Sequence, residues 1–153
     1  MLIAALLVDA TNIDCNNTAS SKKRIIENIS KMLAINTPKI GAETIFKALQ
    51  ERERLGSTGL GRGVAIPHAR IPGLTHTVAA MMTLETPVNY ESADKKPVDI
   101  VVGLLVPEEG GEHHLQHLAR LVTLFRETKT CTALRDANNE EQVFEILLSI
   151  DDD

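Results

Sequence analysis

Tryptophan is absent from this chain, and one Tyr and three Phe hold the aromatic content to 3% of 153 residues. Single-stranded nucleic acid is gripped by stacking its bases on aromatic rings, so that ligand finds no platform here. Duplex binding lacks its requirement too. Sixteen Lys and Arg against 21 Asp and Glu leave a net charge of −5, and no positive field gathers phosphate backbones or an anionic membrane surface. The two cysteines, Cys15 and Cys131, stand far apart with no paired thiol or ligand spacing around either, which excludes a disulfide framework and a zinc knuckle. The apolar opening Met1 to Val8 lacks a basic flank, stops at Asp9 and is far too short to span a bilayer. It reads as a strand or docking segment of a cytoplasmic protein with no stable membrane insertion.

What is present is the composition of one globular domain, 43% hydrophobic and 24% charged, expected to span residues 1–153 around a single core. Ser20 and Ser21 precede Ile25, Ile26, Ile29, Met32 and Leu33 at helical spacing, which predicts a capped amphipathic helix. A second helix is expected from about Ala42 to Leu55, burying Ala42, Ile45, Phe46 and Leu49, with Gly56 as its stop. Gly56 to Gly63 carries four glycines in eight positions and reads as a loop. Val64 to Ile66 then reads as a short buried strand ending at Pro67-His68. Thr77 to Leu84 and Val98 to Val106 are near-continuous apolar runs, the pattern of strands covered on both faces. A helix over Glu112 to Glu127 is expected to bury Leu115, Leu118, Ala119, Val122 and Phe125. A last one follows Asn138, with Glu141 completing a capping box and Val143, Phe144, Leu147 and Ile150 inward. The class is α/β or α+β: a central sheet with helices packed on it.

Position sorts the histidines. His68 follows Pro67, which has a fixed φ and no N–H and pushes Ile66 into an extended conformation. An imidazole on such a restrained backbone can serve as a nucleophile, one nitrogen attacking while the other donates to a carbonyl that fixes tautomer and ring orientation; equally, it can merely cap a strand end. His114 falls at the edge of its helix's apolar stripe, facing a crevice or packed at a border. His113 and His117 fall on the expected wet face, spaced to clasp a metal but without a third ligand, so no metal site is assigned. The glycine loop fails as a nucleotide site, being neither a P-loop nor a strand-to-helix dinucleotide turn. As a bed for a phosphoryl group it has Ser57, Thr58 and backbone amides as donors, with Arg52 just upstream as a bidentate clamp or as a solvated charge like Glu51, Glu53 and Arg54.

The run Arg52-Glu53-Arg54-Leu55-Gly56-Ser57-Thr58-Gly59-Leu60-Gly61-Arg62-Gly63-Val64-Ala65-Ile66-Pro67-His68-Ala69 resembles the signature of the mannitol/fructose-type enzyme IIA of the bacterial phosphoenolpyruvate-dependent phosphotransferase system, in its nitrogen-regulatory branch. Ser21-Lys22-Lys23, Leu84 to Val88, Pro97 to Asp99, Leu104 to Pro107 and His114-Leu115 extend the likeness across nearly the whole chain. Ala69 stands where many members have Gly, and Gln116 where some have His.

The resemblance implies a mixed sheet flanked by helices on both faces. It also implies a phosphotransferase that accepts a phosphoryl group on His68 from an HPr-type carrier, with Arg52 and His114 lining the same pocket. Ser57 and Thr58 are expected to contact phosphoryl oxygens, and Leu60, Ile71 and Leu74 to form part of an apolar docking rim. No cofactor is required. The onward partner is expected to be a regulatory protein; the alternative is a permease domain served by a sugar IIA component.

Overall fold

Ser21 opens the first helix as its position requires: its Oγ accepts the Arg24 N–H at 3.1 Å, and α1 runs Lys22–Ile35. The computed structural model describes residues 10–109 and 112–151, with backbone alone for residues 10, 112–114 and 151. The apolar opening and Gly110-Gly111 thus lie outside the described residues. Helix α1 buries Ile25, Ile26, Ile29 and Leu33, and α2 (Ala42–Arg54) buries Ile45 and Leu49. Helix α2 stops where Gly56 adopts φ +148°, and Leu55 is left 84% exposed.

A 3₁₀ turn at Ala10–Asn12 leads into β1 (Ile13–Asn17); β2 (Gly59–Gly61), β3 (Val64–Ala65), β4 (His68–Ile71), β5 (Val78–Val88) and β6 (Val98–Pro107) follow. Among the described residues they form a six-stranded mixed sheet in the order β1-β5-β6-β3-β2, with β4 also on β6. The pairs β1/β5, β3/β6 and β4/β6 are parallel, and β5/β6 and β2/β3 antiparallel. The two continuous apolar runs are the central strands β5 and β6, and both faces are covered, as the pattern requires. Ala80, Met82, Val101 and Leu105 pack against α1 and α2. Ala79, Met81, Ile100, Val102 and Leu104 pack against the layer of α3 (Glu112–Phe125), α4 (Thr128–Asp136) and α5 (Glu140–Asp151). The fold class matches the expectation, with two cores, one on each face of the sheet, in place of one.

Several local expectations are corrected. The strand read as ending at Pro67 resumes at His68: Val64 faces Ile100, Ala65 faces Val101 and His68 faces Leu104, one register carried across the proline. The glycine loop contains β2, and β1 and α4 were not anticipated. Helix α3 is rotated relative to the expected stripe: His117, Leu121, Leu124 and Phe125 are buried, Leu115 and Ala119 are exposed, and Leu118 and Val122 lie at the margin. The stripe was phased from Leu115, which is 52% exposed. His117 is therefore an inward residue, only 7% exposed, and not half of a wet-face metal pair. Among the described residues no group of His, Cys, Asp or Glu is arranged for a metal ion. The cap of α5 lies one residue later than expected, with the Gln142 N–H donating to Asn139 Oδ1 at 2.9 Å and Gln142 Oε1 accepting the Asn138 N–H at 2.8 Å.

Candidate active site

Pro67 occupies the gap between β3 and β4. It brings no N–H, but its carbonyl accepts the Leu104 N–H at 3.0 Å, so the chain stays on β6 while changing partners. Just before it, the Ile66 N–H donates to Thr58 O at 3.0 Å, tying the glycine loop to this point. His68 follows, half-buried, with Nδ1 2.8 Å from the Ile66 carbonyl. A carbonyl only accepts, so Nδ1 carries the proton and Nε2 keeps its lone pair. Pro67 restrains the backbone beside the ring, and the Ile66 carbonyl holds the tautomer.

Among the described residues His68 lines a cavity of ≈ 250 Å³ together with Arg52, Ala69, Arg70, Leu104, Val106, Leu115 and Leu118. The cavity lies at the sheet edge. Arg52 comes from α2 on one face of the sheet, Leu115 and Leu118 from α3 on the other, and β4 is the strand both layers reach. Arg52 Nη1 donates to Gly56 O at 3.0 Å, closing the last turn of α2 and holding the guanidinium at the cavity wall. His114 belongs to the first turn of α3, but its side chain lies outside the described residues.

Burial lowers the His68 pKa from its usual 6.5; the Ile66 bond opposes that shift, Arg52 adds to it and Glu53 works against it. The free imidazole is therefore neutral and nucleophilic at pH 7. The expected NMR titration of His68 has its midpoint below 6.5. Because the unfolded chain protonates first as pH falls through 6.5, this group lowers folding stability from that pH down to the folded midpoint and leaves it unchanged above. A midpoint at or above 6.5 would contradict the burial argument.

Ser57 and Thr58 are placed differently from the expectation. Ser57 Oγ donates to Tyr90 O at 3.2 Å and accepts the Gly59 N–H at 3.1 Å. The Thr58 N–H donates to Glu53 Oε1 at 3.1 Å, its hydroxyl donates to Glu53 Oε2, and Tyr90 Oη lies 3.1 Å from the same hydroxyl. Neither residue is among the described lining of the cavity, and both hydroxyls already donate within the fold. The docking-rim expectation is corrected as well: Ile71 and Leu74 are core residues and Leu60 is half-buried. Among the described residues, the exposed large apolar side chains include Leu115 on the cavity wall and Leu55, just past the end of α2 that carries Arg52.

Glu53 is the residue that sequence reasoning missed. Read as a solvated charge, its side chain is 7% exposed and pairs with Lys22 Nζ at 3.0 Å. Its signal was available: a carboxylate in the last turn of a helix opposes the helix dipole, a misfit that calls for a compensating partner.

A family model described as "Phosphoenolpyruvate-dependent sugar phosphotransferase system, EIIA 2" matches residues 6–150. A nitrogen regulatory protein of Pseudomonas aeruginosa is 38% identical over 135 residues, covering 88% of each chain. The fructose-specific EIIABC component of Bacillus subtilis is 30% identical over 148 residues, which are 96% of this chain and 23% of that one. The crystal structure of nitrogen regulatory protein IIA-Ntr from Neisseria meningitidis superposes with a TM-score of 0.89 at 34% identity, covering 95% of this chain and 98% of its own. With the family model spanning nearly the whole sequence and the fold agreeing from β1 to α5, the chain belongs to the EIIA type 2 family of the phosphoenolpyruvate-dependent phosphotransferase system.

Proposed function

We propose that this chain is a cytoplasmic phosphocarrier that accepts a phosphoryl group on His68 Nε2 from an HPr-type carrier and passes its phosphorylation state to a regulatory partner. The observation that carries this reading is the His68 Nδ1 contact with Ile66 O, which fixes the tautomer and leaves Nε2 as the attacking atom in a cavity shared with Arg52. In the transfer, the N–P bond of the donor phosphohistidine breaks as the bond to Nε2 forms, and the donor imidazole leaves with its electron pair restored. The work left to the protein is alignment and charge stabilisation, which needs no metal or nucleotide. Arg52 meets the charge on the equatorial oxygens, and His114, at the head of the helix whose Leu115 and Leu118 line the cavity, is assigned a hydrogen bond to the same group. Ser57 and Thr58 contribute by holding the loop that holds Arg52. Leu55 and Leu115 supply the apolar rim on which a carrier docks.

The regulatory assignment follows the likeness to the nitrogen regulatory proteins. A second reading, a IIA component feeding a sugar permease, draws on the likeness to one section of the fructose-specific component; it predicts onward transfer from His68 to a permease domain.

Incubation with phosphoenolpyruvate, enzyme I and an HPr-type carrier, followed by intact mass and acid treatment, tests the proposal. One acid-labile phosphate supports it; no gain with either a sugar-type or a nitrogen-type carrier overturns it. Arg52→Ala is expected to slow uptake about 100-fold in rapid-quench measurements, the scale for losing one preorganised charge donor, with the carrier KM little changed.

A further inference from the structure

We propose that Glu53 is a positioning residue for phosphoryl transfer, acting from behind the site through Lys22, Thr58 and Tyr90 to hold the loop that orients Arg52. The inference rests on the phosphocarrier reading and adds to it a residue that touches neither phosphate nor carrier.

Two charges stand in unfavourable places. Lys22 opens α1, where the helix dipole presents positive charge, and Glu53 sits in the last turn of α2, where it presents negative charge. Each is unfavourable on its own helix. Their 3.0 Å ion pair joins the start of α1 to the end of α2, and both side chains are largely out of water, at 19% and 7% exposure. Lys22 Nζ also stands 4.6 Å from the centroid of the Tyr90 ring. A carboxylate removed from water must have its oxygens filled, and these are: Oε1 takes Lys22 and the Thr58 N–H, and Oε2 takes the Thr58 hydroxyl. Tyr90 is fully buried, and burial together with the Glu53 charge raises its pKa far above the usual phenol value, so it remains a protonated donor toward this network.

These bonds fix Thr58, whose carbonyl receives the Ile66 N–H, so the loop is anchored immediately before Pro67 and His68. They also fix the turn at Gly56, whose carbonyl receives Arg52 Nη1. Glu53 thus restrains from one buried point the backbone leading to His68 and the oxygen that orients Arg52. Ser57, bonded to Tyr90 O, ties residue 90 to the same loop. An arrangement that serves stability alone has no need of a buried carboxylate at this helix end, since an apolar pair of similar volume fills such a space at no desolvation cost.

The test compares Glu53→Gln and Tyr90→Phe with the wild type. Three readouts are taken: single-turnover uptake from a phosphorylated HPr-type carrier, the NMR titration of His68 in the unphosphorylated protein, and thermal unfolding. Glu53→Gln is expected to lower the limiting rate about tenfold, as a misplaced catalytic group does, with the carrier KM within about twofold of the wild type because Glu53 is buried. It is also expected to move the His68 midpoint downward. Tyr90→Phe, which removes one oxygen and leaves the Glu53–Thr58 bonds, is expected to give a smaller fall in the same direction. A folded Glu53→Gln protein with wild-type rate and titration overturns the inference. So does a rate loss that vanishes at temperatures where the variant is fully folded. Absence of uptake by the wild type overturns the phosphocarrier reading itself, a result distinct from uptake that is merely insensitive to Glu53.

Discussion

His68→Ala is expected to take up no phosphate from an HPr-type carrier and to fold as the wild type does. The loss is total because one atom is the acceptor. His76, the one exposed histidine among the described side chains, is in the turn before β5 with Nδ1 beside Thr75 Oγ1 and does not line the cavity. Folding is expected to survive because His68 is only half-buried and makes one described hydrogen bond, to the Ile66 carbonyl; the cost is expected to be about 1 kcal/mol. Intact mass and thermal unfolding read the two halves of this expectation separately. Residual acid-labile phosphate at the wild-type level would mean that another side chain is the acceptor.

Gly103→Val is expected to produce a large loss of stability. Gly103 lies in the middle of β6 beneath α1, and a Cβ there stands 2.6 Å from Ile29 Cγ1 and 3.1 Å from Leu33 Cδ1. Both neighbours are buried, so neither can swing into solvent, and α1 must lift or the strand must sink. Overpacking on this scale costs about 3 kcal/mol, or a fall of about 10 °C in Tm for a domain of this size. Since α1 carries Lys22, whatever fraction of the variant folds is also expected to hold Glu53 less well. Calorimetry showing an unchanged Tm would mean that α1 does not press on the sheet here.

The sequence was most legible where the chemistry is local. Ser21 caps its helix whatever follows, Gly56 ends α2, and Pro67 restrains its neighbours by its own ring, so these features were readable from a few consecutive residues, whereas which His68 nitrogen keeps its lone pair emerged only from the contact with Ile66 O. The central strands were readable because burial on both faces leaves no polar alternation to confuse with a helix. What failed depended on distant partners. The phase of α3 turns on whether Leu115 covers the core or a cavity beside β4, which no spacing within the helix decides. Strands β2 and β4 exist only because β3 and β6 lie beside them; alone, Gly59–Gly61 is a poor strand. Ser57 and Thr58 looked like free donors because their acceptors, Tyr90 O and the Glu53 carboxylate, come from other elements, and Glu53 looked solvated because Lys22 lies at the head of a different helix.

The cavity's place at the sheet edge has a consequence for how a modification is communicated. The two helical layers are separated by the sheet nearly everywhere else, and each has its own core. A phosphoryl group on His68 would be held by Arg52 from one layer while lying against the α3 wall of the other. Contacts made only in the folded, modified state stabilise whatever they join, so the two layers would become linked by contacts that the free protein lacks. Opening of either layer would then expose the charged group, and backbone amides on both sides of the sheet are expected to exchange more slowly in the phosphorylated protein. On the proposed function, a partner would then have no need to cover His68 to learn its state, because such a change in rigidity would extend to the outer surface of either layer.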